Sequence, residues 1–577
     1  MTMLTKWGAA LDRSCPLPEY PRPQLRRESF YNLNGVWDYA VTPSGDEPEV
    51  WDGEIVVPFS PEAPLSGAAR GPAKDEYLHY RRGFTLPEGF QKSRVLLHFG
   101  AVDQIAEVFV NGVSAAKHSG GYWPFSADIT SLLREGENIL RVTVRDNADD
   151  PTFAYGKQRY KRGGMWYTAQ SGIWQTVWLE SVPEVYVKSL RITPEFDEAR
   201  VRIELETALE SSAAITCDVR AADGSFVAGS WAKGGVCVVP LPGFRAWTPD
   251  DPYLYTLDIT CGEDRVESYF AMRKFSYVEL GGHKVFGLNN APLFHNGLLD
   301  QGYYPDGLLT PPSDEAMVND IETMKRCGFN MLRKHIKVEP LRWYYHCDRL
   351  GMIVWQDMVS GGQPYSFLHV SALPTLGKVD LPDQDAKPYG RSGVLSRARF
   401  RREMADTVRL LYNCPCIALW TVFNEGWGQF DALDMANELK KLDPTRFIDH
   451  ASGWQDQGYE EMKSRHIYFR PVKLKNDGRA LALTEYGGYI LAVDGHRWTD
   501  KVFGYRICRD SAALAHDYEK LMLGQVLPHI RKEGLTAAVY TQITDVEEEL
   551  NGLMTYDREV LKIPEETLWE INKQLKF

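Results

Sequence analysis

Long uncharged apolar runs are missing from the sequence. None approaches the roughly 18 residues that a membrane-spanning helix needs. The opening residues, Met1-Thr-Met-Leu-Thr-Lys-Trp-Gly, lack the apolar stretch of a secretory signal, so a cytoplasmic protein is expected. Cysteine is sparse: nine residues are scattered from Cys15 to Cys508 without a CxxC pair, and Cys414-Pro-Cys416 is too tight for a zinc ligand pair. Reduced, structural thiols are expected. Basic excess is missing too, with 65 Lys+Arg against 78 Asp+Glu, a formal charge of -13 and no basic tract. That argues against nucleic acid and anionic membranes as partners. No internal repeat or low-complexity segment is visible.

What is present is a globular composition. Hydrophobic residues make up 44% and charged residues 25% of 577 residues, enough to bury large cores, and about 150 residues per domain predicts three or four domains. Aromatics reach 12%, and flat amphipathic rings suit core packing and sugar faces alike.

From Gly35 to about Val182, period-two apolar runs such as Ala106-Glu-Val-Phe-Val-Asn-Gly are broken by turn residues, a β-sandwich pattern. A shorter all-β block from Tyr186 to about Tyr277 has the spacing and size of an immunoglobulin-like sandwich. After Lys284, apolar runs alternate with helical stretches, as in parallel strands with helical crossovers. Eight runs can be counted, beginning at Leu293, Asn330, Met352, Ile417, Arg446, His466, Ala482 and Ala537. Between the first two, Met317, Ile321 and Met324 share a helix face that stops at Gly328. Eight such units match a (β/α)₈ barrel, whose chemistry sits at the C-terminal ends of its strands. The expected domains are 1–183, 184–277 and 278–577, and the Gly- and Pro-rich loop Ser360 to Gly393 is expected beside the cleft.

Two carboxylates close strands of that barrel: Glu425 after Ile417-Ala-Leu-Trp-Thr-Val-Phe-Asn424, and Glu485 after Leu481-Ala-Leu-Thr484. Either alone could serve a salt bridge. Facing one another across a barrel mouth, they can flank a glycosidic bond as general acid and nucleophile. At this point the chain resembles glycoside hydrolase family 2, which holds β-galactosidases, β-glucuronidases and β-mannosidases, over essentially its whole length. Asn413-Cys-Pro-Cys-Ile-Ala-Leu-Trp-Thr-Val-Phe-Asn-Glu425 looks like the acid/base signature, and Leu483-Thr-Glu485-Tyr-Gly like the nucleophile signature. Further matches lie at Val108-Phe-Val-Asn-Gly112, Ser171-Gly-Ile-Trp174 and Trp247-Thr-Pro-Asp-Asp-Pro-Tyr-Leu-Tyr-Thr256.

The resemblance implies a jelly-roll sugar-binding domain, an immunoglobulin-like domain and a terminal TIM barrel, acting on a small carbohydrate by double displacement. It implies no cofactor. Glu485 takes the nucleophile's role and Glu425 the acid/base role. Asn424 resembles the residue that holds the sugar 2-hydroxyl, Tyr468 the tyrosine that holds the nucleophile, and His335 a sugar-contacting histidine. Tyr540 takes the place of a tryptophan that floors the sugar site. Asp357 is expected to bind a hydroxyl or to brace Arg333.

Three departures bear on the substrate. Trp166 stands where β-galactosidases and β-glucuronidases carry a sugar-binding aspartate. Glu549-Leu-Asn551-Gly replaces the Asn-x-Lys-Gly motif of β-glucuronidases, and the extra Glu should repel a uronate. Gly361 and Gln363 stand where the large β-galactosidases bind magnesium through a Glu and a His, so no such metal is expected. A neutral glycoside such as a β-galactoside is therefore the leading expectation. A uronide, an arabinoside and a mannoside are the enzymatic alternatives, and a non-catalytic carbohydrate-binding protein is the alternative of another class. Oligomeric state stays open, although the family often forms dimers or tetramers.

Overall fold

The computed structural model describes residues 3–209, 214–375 and 380–577; part of the expected cleft loop, residues 376–379, lies outside the described residues. No described helix is long and apolar enough to cross a membrane.

Alternation along the first strands produces the expected jelly-roll sandwich. In Ile105–Val110 the side chains of Ala106, Val108 and Val110 turn inward, because successive residues of a strand face opposite ways. The next strand, Val113–Ser119, returns through Asn111-Gly112, both at positive φ, the turn chemistry a tight hairpin requires. A six-stranded antiparallel sheet packs on a four-stranded one, with Trp37, Tyr80, Leu97, Val142 and Leu179 in the shared core. The second domain packs a three-stranded sheet against a four-stranded one around Val201, Ile203, Leu257 and Ile259, the expected immunoglobulin-like sandwich.

The barrel follows with all eight strands near their expected places: β1 (His295–Asp300), β2 (Met331–Lys334), β3 (Ile353–Asp357), β4 (Ile417–Thr421), β5 (Phe447–Asp449), β6 (Met462–Ile467), β7 (Ala480–Gly487) and β8 (Leu535–Thr541). Parallel ladders run β5-β4-β3-β2-β1-β8-β7-β6. Among the described residues no ladder joins β6 to β5, and Ser464 Oγ donates to Asp449 Oδ1 across that seam at 2.9 Å.

The first crossover helix, α1 (Asp314–Arg326), starts where Ser313 accepts from the Ala316 N–H and carries Asp314 and Glu315 in its first turn and Lys325 and Arg326 in its last, each matching the helix dipole. Met317, Ile321 and Met324 are buried, and Gly328 follows at φ +86°, as the sequence predicts. The N-terminal end of the barrel is plugged by the hairpin Phe275–Leu280 and His283–Leu288. Phe286 there stacks on Phe447 at 4.2 Å and meets Trp355 edge-on. With that end sealed, the open mouth is the C-terminal one.

Candidate active site

At the open end, Arg333 of β2 is wholly buried and spends its guanidinium on the ends of three other strands, β3, β4 and β7. Nε donates to Asp357 Oδ1 (3.0 Å), Nη1 to the Thr484 carbonyl (3.0 Å) and Glu485 Oε1 (3.2 Å), and Nη2 to Asn424 Oδ1 (2.9 Å). A buried cation persists only when its donors are matched in this way. One consequence falls on Asn424: with Oδ1 taken, its Nδ2 is the group left for a sugar hydroxyl.

Glu485 accepts on its other oxygen from the Tyr468 hydroxyl at 2.5 Å, and Tyr468 in turn lies 2.9 Å from Thr541 Oγ1. Burial pushes the Tyr468 phenol far above its usual range, so it stays a donor to the carboxylate. Glu425 sits one residue beyond Asn424 at φ +54°, in the left-handed region that costs a non-glycine residue of order 1–2 kcal/mol. Its N–H donates to the Ser452 carbonyl, and its own carbonyl accepts from the Trp454 indole, both at 2.9 Å. These bonds hold the strained turn that aims the carboxyl inward.

Burial pushes the Glu425 carboxyl above the ordinary carboxylate range, with Lys157, His335 and Arg333 pulling the other way. His466, at the end of β6, places Nδ1 2.8 Å from Glu425 Oε1 and Nε2 3.7 Å from Glu485 Oε1. One atom each of Glu425, His466 and Glu485 lie within 4.8 Å of one another. Three such side chains could in principle share a cation, but Arg333 and Tyr468 already occupy the two oxygens of Glu485. The cluster is therefore built for carboxylate chemistry.

Asn424, His335 and Tyr468 are thus gathered around the two carboxylates. One expected sugar contact needs correction, and of the two roles left open for Asp357 the structure shows the bracing one. Tyr540 is fully buried in the barrel wall among Tyr486, Tyr489 and Tyr518; strand parity turns Thr541 inward to Tyr468 and Tyr540 outward to the helix layer. Asp357 spends one oxygen on Arg333 and the other, at 2.7 Å, on His335 Nδ1. It braces both neighbours instead of reaching the sugar. An ionised Asp357 only accepts, so His335 carries its proton on Nδ1 and offers Nε2 to the pocket. Burial works against the Asp357 charge, and Arg333 with His335 overrides it to hold the carboxyl below its usual range.

Residues 154–168 of the jelly roll lie across the mouth. The N–H groups of Tyr155 and Gly156 donate to the Ser360 carbonyl, the Thr168 N–H donates to Glu547 Oε1 (2.8 Å), the Gly164 N–H donates to Glu548 Oε2 (2.9 Å), and the Tyr167 hydroxyl donates to Glu549. This strap brings Trp166 edge-on to Trp427 at 5.0 Å, two residues beyond Glu425, and lays Arg159 over the Trp166 ring. It also delivers Lys157, which is 8% exposed and whose ammonium has no hydrogen-bond or ion-pair partner among the described residues beyond the Trp166 ring at 5.6 Å.

Sequence reasoning missed Arg333 as an organiser, His466, Lys157, and Tyr505, whose ring stacks on Tyr468 at 3.8 Å. Arg333 carried a readable signal, a guanidinium directly after Met331-Leu332 within a predicted barrel strand. Lys157 carried none, since its loop belongs to another domain.

The chain is similar to known proteins. The sequence matches "Glycosyl hydrolases family 2, sugar binding domain" over residues 64–183, "Glycosyl hydrolases family 2" over 185–273 and "Glycosyl hydrolases family 2, TIM barrel domain" over 311–474. A β-galactosidase of Thermoanaerobacter pseudethanolicus is 25% identical over 64% of this chain and 47% of its own length, so the chain spans under half of that relative. A β-glucuronidase of Paenibacillus borealis is 22% identical over 82% of this chain and 85% of its own. A solved β-glucuronidase from an uncultured Clostridium sp. superposes with a TM-score of 0.74 at 19% identity, covering 95% of this chain and 98% of that one, which speaks for the fold. With the family's three domains matched in sequence order and two carboxylates facing across the barrel mouth, the chain belongs to glycoside hydrolase family 2.

Proposed function

We propose that the protein is a retaining exo-β-glycosidase. The observation that carries this reading is the approach of Glu425 and Glu485 within 4.8 Å. Retaining enzymes hold their two carboxyls roughly 5–5.5 Å apart, whereas inverting ones leave about 6.5–9.5 Å for a water. Glu485, which accepts from Arg333 and Tyr468, attacks the anomeric carbon while Glu425, whose carboxyl burial pushes upward, gives its proton to the leaving oxygen. The ionised Glu425 then takes a proton from water, whose oxygen displaces Glu485 from the sugar. The strap across the mouth supports a pocket for one terminal sugar.

For the sugar, Glu549 supports a neutral hexoside such as a β-galactoside, because a carboxyl in the loop after β8 opposes a uronate. A second reading, a uronide, draws on Lys157: a largely buried lysine whose ammonium has no hydrogen-bonded or ion-paired carboxylate among the described residues suits a sugar carboxylate. The curated β-glucuronidase relative agrees with it. A panel of nitrophenyl β-galactoside, glucoside, mannoside, xyloside, arabinoside, glucuronide and galacturonide, run with the parent, Glu485→Gln and Lys157→Met, tests both. Cleavage of one neutral glycoside, lost in Glu485→Gln, is expected. Cleavage of a uronide that collapses in Lys157→Met would favour the second reading. Turnover surviving in Glu485→Gln would sink the assignment of the nucleophile.

A further inference from the structure

His466 lies between the two catalytic carboxylates with its side chain wholly buried. Nδ1 faces Glu425 Oε1 at 2.8 Å; Nε2 faces Ser452 Oγ at 3.3 Å, itself 3.0 Å from Thr484 Oγ1. The Glu485 oxygen, at 3.7 Å from Nε2, is beyond hydrogen-bond reach. Burial lowers the imidazole to about 3, so the ring is neutral and carries one proton.

The place of that proton follows from the chemistry of Glu425. As a carboxylate, in the second half-reaction, Glu425 can only accept, so the Nδ1 that touches it must be the donor. Nε2 is then the ring's acceptor, 3.3 Å from a Ser452 hydroxyl that also faces Thr484 Oγ1 as a donor. The same arrangement serves the first half-reaction, provided the acidic proton sits on the other oxygen. We propose that His466 is a positioning residue which, through Nδ1–H, holds Oε1 of Glu425 in both half-reactions, so that Oε2 alone gives the proton to the leaving group and takes it from water. This rests on the double-displacement reading above.

Protons balance without His466 changing state. In the first step the Oε2 proton goes to the leaving oxygen as the glycosidic bond breaks and the Glu485–sugar bond forms. In the second, water gives a proton to Oε2 as its oxygen bonds the sugar and the Glu485–sugar bond breaks. His466 keeps its proton throughout.

The test uses aryl and methyl β-glycosides of whichever sugar the panel selects, with leaving groups from dinitrophenyl, which needs little protonation, to methyl, which needs it fully. In His466→Ala, kcat/KM for methyl glycosides should fall by about tenfold or more beyond any loss on the dinitrophenyl substrate, part of the roughly 10²–10⁴ that a positioned general acid supplies. Losing a donor to the carboxylate should also move the basic limb of kcat/KM upward in pH. The other groups that face Glu425 are Lys157 from the strap, Arg333 of β2 and His335 just beyond it, Tyr365 from the loop after β3, and Glu485 with Tyr468 and Tyr505. They are common to parent and variants, so a shift in the limb reports on His466.

His466→Asn, whose amide can donate from near the Nδ1 position, should restore both the leaving-group dependence and the limb. Equal losses on all leaving groups with an unmoved limb would overturn the proposal, as would an Asn variant no better than Ala. If His466→Ala fails to fold, His466→Asn decides alone: a parent-like limb supports the role and a shifted one overturns it. Glu425→Ala serves as the reference, since a loss there that ignored the leaving group would sink the acid/base assignment itself, a failure separate from that of His466.

Discussion

Arg333 joins four strands to both halves of the catalytic machinery through a single buried cation, while Glu425 works in the opposite sense as a carboxyl that burial makes costly to ionise. That cost has a stability signature. A carboxyl raised above its unfolded value contributes its full stability below the ordinary carboxylate range and loses it as pH climbs through the raised value. Glu425→Gln has nothing to ionise. Its stability relative to the parent should therefore be nearly flat in acid and turn in its favour as pH rises above the ordinary carboxylate range, read from urea midpoints at a series of pH values. A difference that does not change with pH would mean the carboxyl is not strained by burial. The two carboxylates were legible in the sequence because each terminates an apolar run. His466 stands two residues from Tyr468 and was not, since a linear sequence does not say which of two neighbouring polar side chains turns toward the catalytic pair.

At the scale of elements, apolar runs of four to eight residues between helical stretches fixed all eight barrel strands. Parity was harder. A one-residue step in β8 decides whether Tyr540 or Thr541 faces the sugar, and a run apolar on both faces does not announce which way it points. The β5–β6 seam, bridged by Ser464 and Asp449, was equally invisible. The hairpin that plugs the far end offers a clean separation of stability from function. Phe286 is fully buried against Phe447 and Trp355 at the face away from the chemistry. Phe286→Ala should cost about 3–5 kcal/mol of barrel stability through the cavity it leaves, and lower the thermal midpoint while KM stays at the parent value. A variant that melts like the parent would show that the hairpin is not part of the barrel's cooperative core.

For the whole molecule, the pocket is completed by a domain that precedes the barrel. Thr168 and Glu547 meet across nearly four hundred residues of chain, and no local pattern foretells such a contact. The consequence is that the jelly roll delivers Lys157 and Trp166 to the barrel mouth on a loop held by few bonds. Glu547 is the most exacting of these: it is buried, accepts from the Thr168 N–H, and has Arg162 3.6 Å from its other oxygen. Glu547→Ala would leave the Thr168 N–H without its acceptor, a cost of about 1–3 kcal/mol for a buried donor that the strap can relieve by lifting off the mouth. If the strap grips the sugar, KM should then rise by around tenfold, since roughly 1.4 kcal/mol is a factor of ten. The first-turnover rate at saturating substrate should change far less, because Glu425, Glu485 and Arg333 are all carried by the barrel. Glu547→Gln keeps an acceptor for Thr168 and should stay close to the parent. A KM unmoved in Glu547→Ala would mean that the sugar is held by the barrel alone, and that the strap covers the mouth without binding what enters it.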